Sequence, residues 1–168
     1  MVTMRVTAMA AALATLVALP ACSGVGAAKG WCSDAPEGRV AVGITSAKGR
    51  HCFAAERAAT SEQQARGLMF RTDLGPESAM LFHPYPPEGP PRAASFWMKN
   101  TPTALDIIFI RADGTIANIA EDTVPFSEDP VPSEGPVAAV LEIVAGRSTQ
   151  LGIAPGDKVS LPPTPAPE

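Results

Sequence analysis

Leu105-Asp106-Ile107-Ile108-Phe109-Ile110-Arg111-Ala112-Asp113-Gly114-Thr115-Ile116-Ala117-Asn118-Ile119-Ala120 decides the fold class. Two apolar, β-branched runs flank an Asp-Gly pair. Such a pair supplies the positive-φ residues that a tight hairpin turn needs. The first run is too short for a core helix. It reads as the first strand of the hairpin. Asp106 interrupts that run with a carboxylate, a residue rarely buried without a partner.

Working outward, further short strands are expected on both sides. Upstream, Ala94 to Lys99 and Ala79 to Phe82 read as strands, separated by a loop from His83 to Arg92 that holds five prolines. Thr60-Ser61-Glu62-Gln63 has the form of a capping box, with a threonine hydroxyl and a glutamine side chain able to satisfy each other's orphan amides. It opens a helix from Ser61 to about Phe70, with Ala65, Leu68 and Met69 on one face. Gly67 inside it costs about 1 kcal/mol against alanine and allows close packing. Arg39 to Thr45 and Cys52 to Ala58 form two more strands, joined by a turn at Ser46 to Gly49. Downstream, Glu121 to Pro136 reads as a loop with four prolines and five acids. Val137 to Val144 is an apolar strand, Gly146 to Leu151 one or two helical turns, and Lys158 to Leu161 the last strand. Eighteen prolines and 14 glycines argue against long helices. The expected fold is α+β: a small, mostly antiparallel, curled or barrel-like sheet with one or two short helices.

The ends read differently. Arg5 and the uncharged run from Ala8 to Leu19 make a leader, too short for a membrane span. Leu19-Pro20-Ala21-Cys22 is similar to the cleavage box of bacterial lipoproteins, in which the cysteine carries lipid. Residues 1–21 are therefore expected to be a lipoprotein-type signal peptide and 22–38 a flexible tether. A single globular domain follows over 39–161, with a Pro-rich tail at 162–168. Ordinary cleavage near Gly26-Ala27-Ala28 is the alternative and gives an unlipidated periplasmic protein. On the lipoprotein reading the membrane is met only through the lipid anchor, in the outer membrane by analogy, since Ser23 follows Cys22. Cys32 and Cys52 remain, and in an oxidising compartment an even pair is most simply a disulfide. Without Arg5, one of the chain's 13 basic residues, 12 face 17 acids. No basic cluster exists, so no nucleic-acid partner is expected.

Several segments carry a family resemblance. They are Arg66-Gly67-Leu68-Met69-Phe70-Arg71, Ala79-Met80-Leu81-Phe82, Ser95-Phe96-Trp97-Met98-Lys99-Asn100-Thr101, Leu105 to Ile110, Val140-Leu141-Glu142, Ala145-Gly146, Gly152-Ile153 and Gly156-Asp157. In this order the chain resembles the uncharacterised family called domain of unknown function 192, over roughly Val40 to Val159. Ala79 stands where the family typically has glycine, and Ala104 where it often has proline. The resemblance implies a small, strand-dominated α+β domain and no established activity.

Candidate chemistry centres on the strand around Trp97. Alternation puts Phe96 and Met98 on one face and Trp97 with Lys99 on the other. Lys99 is suited to holding an anion and Trp97 to stacking on a flat ligand or sugar, against the plainer reading of a solvated lysine and a packed indole. Asn100 either contacts ligand or only shapes the turn before Pro102. Asp106 and Glu142 sit inside apolar runs, with Arg66, Arg71 and Lys99 as possible partners. An arginine pair would lock helix to sheet, whereas a shared pocket would make a carboxylate a general base. The ligand-binding candidates are Arg66, Trp97, Lys99, Asn100, Asp106 and Glu142. No metal site, cofactor motif, nucleophile elbow or phosphate-binding loop is present in the sequence. The expectation is an envelope accessory domain that binds an unknown small ligand or envelope protein. The alternatives are a hydrolase-type enzyme using Asp106 or Glu142, or an assembly protein with no small ligand.

Overall fold

The computed structural model describes residues 31–165. Cys22 and the leader lie outside the described residues. Nine strands and two short helices follow one another, β1 (Val40–Ser46), β2 (Gly49–Ala58), α1 (Ser61–Arg66), β3 (Ala79–Phe82), β4 (Arg92–Phe96), β5 (Leu105–Ile110), β6 (Ile116–Ala120), β7 (Val131–Val137), β8 (Ala139–Val144), α2 (Arg147–Leu151) and β9 (Lys158–Ser160). Seven strands form one sheet in the order β6-β5-β8-β3-β2-β1-β9, and β4 with β7 form a second. Only β2 and β3 run parallel in the large sheet. Its outer strands approach each other: Thr115 bridges Lys158, Ile116 N–H donates to Asp157 at 2.9 Å and Val159 N–H to Gly114 at 2.8 Å. The sheet is thus curled almost into a barrel, the fold expected from the hairpin pattern.

Two apolar clusters lie on opposite faces of this sheet. One gathers Val42, Ile44, Phe53, Leu81, Ile108, Ile110, Leu141 and Ile143. The other gathers Met80, Phe82, Leu105, Ile107, Phe109 and Val140 under Ala94 and Met98. All six residues of β5 are buried, its alternate side chains feeding the two clusters. This is why its sequence is apolar without alternation. At about 25 cal/mol per Å² of apolar surface, such doubly covered strands carry much of the fold's driving force.

Three local differences from the sequence expectation have physical causes. α1 has the expected capping box, with Gln63 N–H donating to Thr60 Oγ1 at 3.2 Å and Gln63 Oε1 accepting from Thr60 N–H at 3.1 Å. It stops at Arg66 rather than near Phe70 because Gly67 turns the backbone to φ +48°. A Cβ at Gly67 would also sit 3.2 Å from the Phe82 ring, so the close approach expected of this glycine is present. β4 ends at Phe96 rather than Lys99, since Thr101 N–H closes a turn onto the Met98 carbonyl at 3.0 Å. β7 lies where only a loop was expected. Its Pro132 and Pro136 pair with Ser95 and Ala93 in a short sheet that β7 shares with β4 alone, where missing N–H groups are tolerated.

At the N-terminal end of the described residues, Cys32 and Cys52 form the expected disulfide across 20 residues. Trp31 covers Gly43, where a Cβ would lie 2.8 Å from the indole, and Arg50 sits 5.2 Å over its ring. No helix among the described residues is long and apolar enough to cross a membrane. Replacing both cysteines with serine should lower stability by about 3 kcal/mol, the loop-closure entropy of a ring of this size. Urea denaturation of the oxidised wild type and the double variant measures it.

Candidate functional site

The two buried acids expected to act together lie on adjacent strands, one residue out of step. Ile107 pairs with Glu142 and Asp106 with Ile143. Side chains alternate along a strand, so the two carboxyls leave the sheet on opposite faces.

Asp106 serves the fold. It is fully buried and its oxygens accept from three backbone amides: Asp122 at 3.0 Å, Gly146 at 3.1 Å and Ser148 at 2.8 Å. These bonds pin the start of α2 and the loop after β6 to the start of β5. The expected arginine or lysine partner is absent because backbone donors already occupy the carboxylate.

Glu142 has none of this. It is 5% exposed, and its Oε2 is buried without a hydrogen-bond partner. Its cross-strand neighbours are Met80 on β3 and Ile107 on β5, both apolar. Burial pushes its carboxyl up to about 8. It therefore holds its proton at neutral pH and is a potential hydrogen-bond donor.

Glu142 lines a pocket of about 400 Å³ between α1 and β4. Gly67, Leu68, Phe82 and Phe96 supply apolar wall, and the Phe82 and Phe96 rings meet edge to face at 5.0 Å. Arg66 comes from the last turn of α1 and Arg92 from the first residue of β4. Both are exposed, and neither guanidinium has a hydrogen bond or ion pair among the described residues. Trp97, 48% exposed, stands beside them. The pocket thus runs from a cationic mouth to a buried carboxyl.

Gln64 adds a second unmet demand. Its Nε2 donates to the Ala58 carbonyl at 3.0 Å and to the Pro84 carbonyl at 2.7 Å. Both amide hydrogens are spent on carbonyls, which fixes the side chain's orientation. Its Oε1 is left buried and without a donor.

Of the six candidates named from sequence, Arg66, Trp97 and Glu142 share this pocket. Lys99, Asn100 and Asp106 do not line it. The Lys99 ammonium lies 5.1 Å over the Trp97 ring and 3.5 Å from Glu128, so the expected shared face exists but points to solvent. Asn100 adopts φ +56° and its carbonyl accepts from Phe70 N–H at 2.7 Å. It is a turn residue, and it holds the loop of Phe70 against the loop of Trp97. Arg71 pairs with Glu56 at 3.1 Å and Asp73 at 2.6 Å, away from both buried acids. Gln64, Tyr85 and Arg92 line the pocket without having been named from sequence. Nothing local marks them, although an arginine closing a Pro-rich loop is a usable signal. Among the described residues no cluster of histidine, cysteine, aspartate or glutamate could hold a metal ion.

Two variants separate the acids. Below about pH 4.5 both folded and unfolded chains keep the Glu142 proton, so its titration takes nothing from stability there. Between about 4.5 and 8 only the unfolded chain loses it, and stability falls as pH rises. Glu142→Gln should therefore flatten this decline and gain about 1–4 kcal/mol at pH 8, read from urea midpoints across pH. Asp106→Ala should instead cost roughly 3 kcal/mol at neutral pH, by orphaning three amides, read in the same titrations.

Comparison with known proteins agrees with this geometry in fold and leaves the chemistry open. The model of the domain of unknown function 192 family, described as an uncharacterized ACR, matches residues 43–161. A protein of unknown function from Novosphingobium aromaticivorans is 51% identical, with a TM-score of 0.68 over 73% of this chain and 84% of that one. A protein from Sinorhizobium meliloti, described provisionally as a transcription regulator, is 41% identical, with a TM-score of 0.66 over 72% and 92%. A comparison with curated proteins finds no match. The chain belongs to the domain of unknown function 192 family.

Proposed function

We propose that the protein is an accessory domain of the cell envelope that binds a small ligand bearing an anionic group in the pocket between α1 and β4. The observation that carries this reading is the partnerless Glu142 carboxyl beneath two unpaired guanidiniums. A buried polar group without a partner costs about 1–3 kcal/mol. A fold tolerates that cost most readily where a ligand supplies the missing bond. Arg66 and Arg92 present planar donors suited to a carboxylate or phosphate. The pocket's volume lies in the range of small-molecule sites, and its wall mixes apolar side chains with polar and charged ones. The envelope part of the reading rests on the leader pattern, on Cys22 in a lipoprotein-like box, and on the Cys32–Cys52 disulfide, a bond typical of oxidising compartments.

A second reading is an enzyme in which Glu142 is the general acid. Its raised pKa favours this, because a carboxyl that keeps its proton near neutrality can protonate a leaving group. Asp106 is not available for such a role, being held by backbone amides. A hydrolytic activity on envelope fragments that is lost in Glu142→Gln while ligand binding persists would establish the enzyme.

A thermal-shift screen of the protein against simple anions, glycan fragments and envelope metabolites tests the binding reading. A ligand at about 100 times its dissociation constant should add roughly 2.7 kcal/mol. Arg66→Ala and Arg92→Ala should each weaken a genuine hit about tenfold, the loss of one charge-assisted contact. Lys99→Ala, outside the pocket, should leave it unchanged. Hits indifferent to both arginine variants would refute the site.

A further inference from the structure

Arg66 and Arg92 suit an anionic group, and two unpartnered polar atoms of the same pocket constrain what lies at the ligand's other end. Gln64 Oε1 is a fixed acceptor with no donor, because its amide nitrogen is committed to two carbonyls. Glu142 is a carboxyl with no partner. A simple anion pushed to this depth would meet one acceptor and one acid, and would leave Gln64 Oε1 unsatisfied. A simple cation would satisfy both but would have to pass Arg66 and Arg92 at the mouth. A molecule with a donor-rich cationic head and an anionic tail answers both ends.

We infer that the pocket takes a small zwitterion, its ammonium donating to Glu142 and Gln64 Oε1 and its carboxylate or phosphate held by Arg66 and Arg92. An ammonium offers three donors and no acceptor, which fits two unpartnered acceptors on residues of one pocket. Leu68, Phe82 and Phe96 line the space between the two ends and suit an apolar or aromatic body. This assignment rests on the pocket being a ligand site and specifies its ligand class.

The chemistry balances through one proton. In the empty pocket Glu142 is protonated. An arriving ammonium favours the carboxylate, so the Glu142 proton passes to the buffer and the ion pair remains. The other titratable groups sharing the pocket are Arg66, Arg92 and Tyr85, and burial raises the Tyr85 phenol above its usual value. The buried Tyr85 phenol holds its proton through the neutral range, so release is assigned to Glu142.

Titration calorimetry with L-phenylalanine, phenylpropionate and phenylethylamine, in buffers of different ionisation enthalpy, tests this. Phenylalanine should bind with about one proton released, and its affinity should rise about tenfold per pH unit up to about pH 8. Neither analogue should match it, since each lacks one charge. In Glu142→Gln the proton release and the pH slope should vanish while the protein stays folded. Phenylpropionate binding as tightly as phenylalanine without proton release would overturn the zwitterion and leave the anion pocket standing. Phenylethylamine binding as tightly as phenylalanine would overturn the anionic tail. Binding by none of the three overturns the zwitterion assignment, and the pocket is then judged on the anion screen and its arginine variants alone.

Discussion

Strand β8 is hydrogen-bonded on one edge to β3 and on the other to β5, and its two faces look into two different apolar clusters. A side chain on such a strand has no route to bulk water. It must be apolar, be paired, or face a cavity. Val140, Leu141 and Ile143 meet the first condition. Glu142 meets the third, since it lines the pocket between α1 and β4. The same logic, applied one strand over, gave Asp106 the second solution, three backbone amides. The two acids differ in environment because a single step of strand register turns them to opposite faces of the sheet.

The pocket over Glu142 exists because regular structure stops early on either side of it. Gly67 ends α1 after six residues and lets the chain turn across Phe82. β4 stops at Phe96, and the turn through Asn100 carries Trp97 to the surface while Met98 stays in the core. The Asn100 carbonyl then ties the two loops together through Phe70 N–H. Phe70 and Phe126 both take left-handed backbone angles and both remain exposed, joined to Asn100 and Thr101 by backbone bonds. Bulky residues at positive φ are uncommon and store strain of order 1 kcal/mol or more. These loops accordingly trade local comfort for a fixed shape beside the pocket.

Relatives of known fold and unknown activity make the site, rather than the fold, the place to read function. The features that suggest a ligand are unmet demands: a carboxyl without a donor or base, an amide oxygen without a donor, and two guanidiniums without an anion. Each is small alone. Their convergence on one cavity of ligand size, with opposite polarity at its two ends, gives them weight.

The sequence by itself determined the strand and helix inventory closely: the Asp-Gly hairpin, the capping box of α1 and the curled sheet were legible because each is set by residues adjacent in the chain. It also marked Asp106 and Glu142 as anomalous, since charge inside an apolar run stands out wherever the run folds. β7 was hidden by its prolines, which oppose a strand locally and are tolerated only because β4 alone pairs with it. What the tertiary structure alone decided was who meets whom. Arg66, Arg92, Gln64 and Glu142 come from α1, β4 and β8, brought together by strand order and register that no short-range pattern encodes. Lys99, one residue past Met98, fell outside the pocket because a turn replaced three residues of expected strand, Trp97 to Lys99. The chemistry of single residues is written in the sequence, but a site is a set of distances, and those follow from packing.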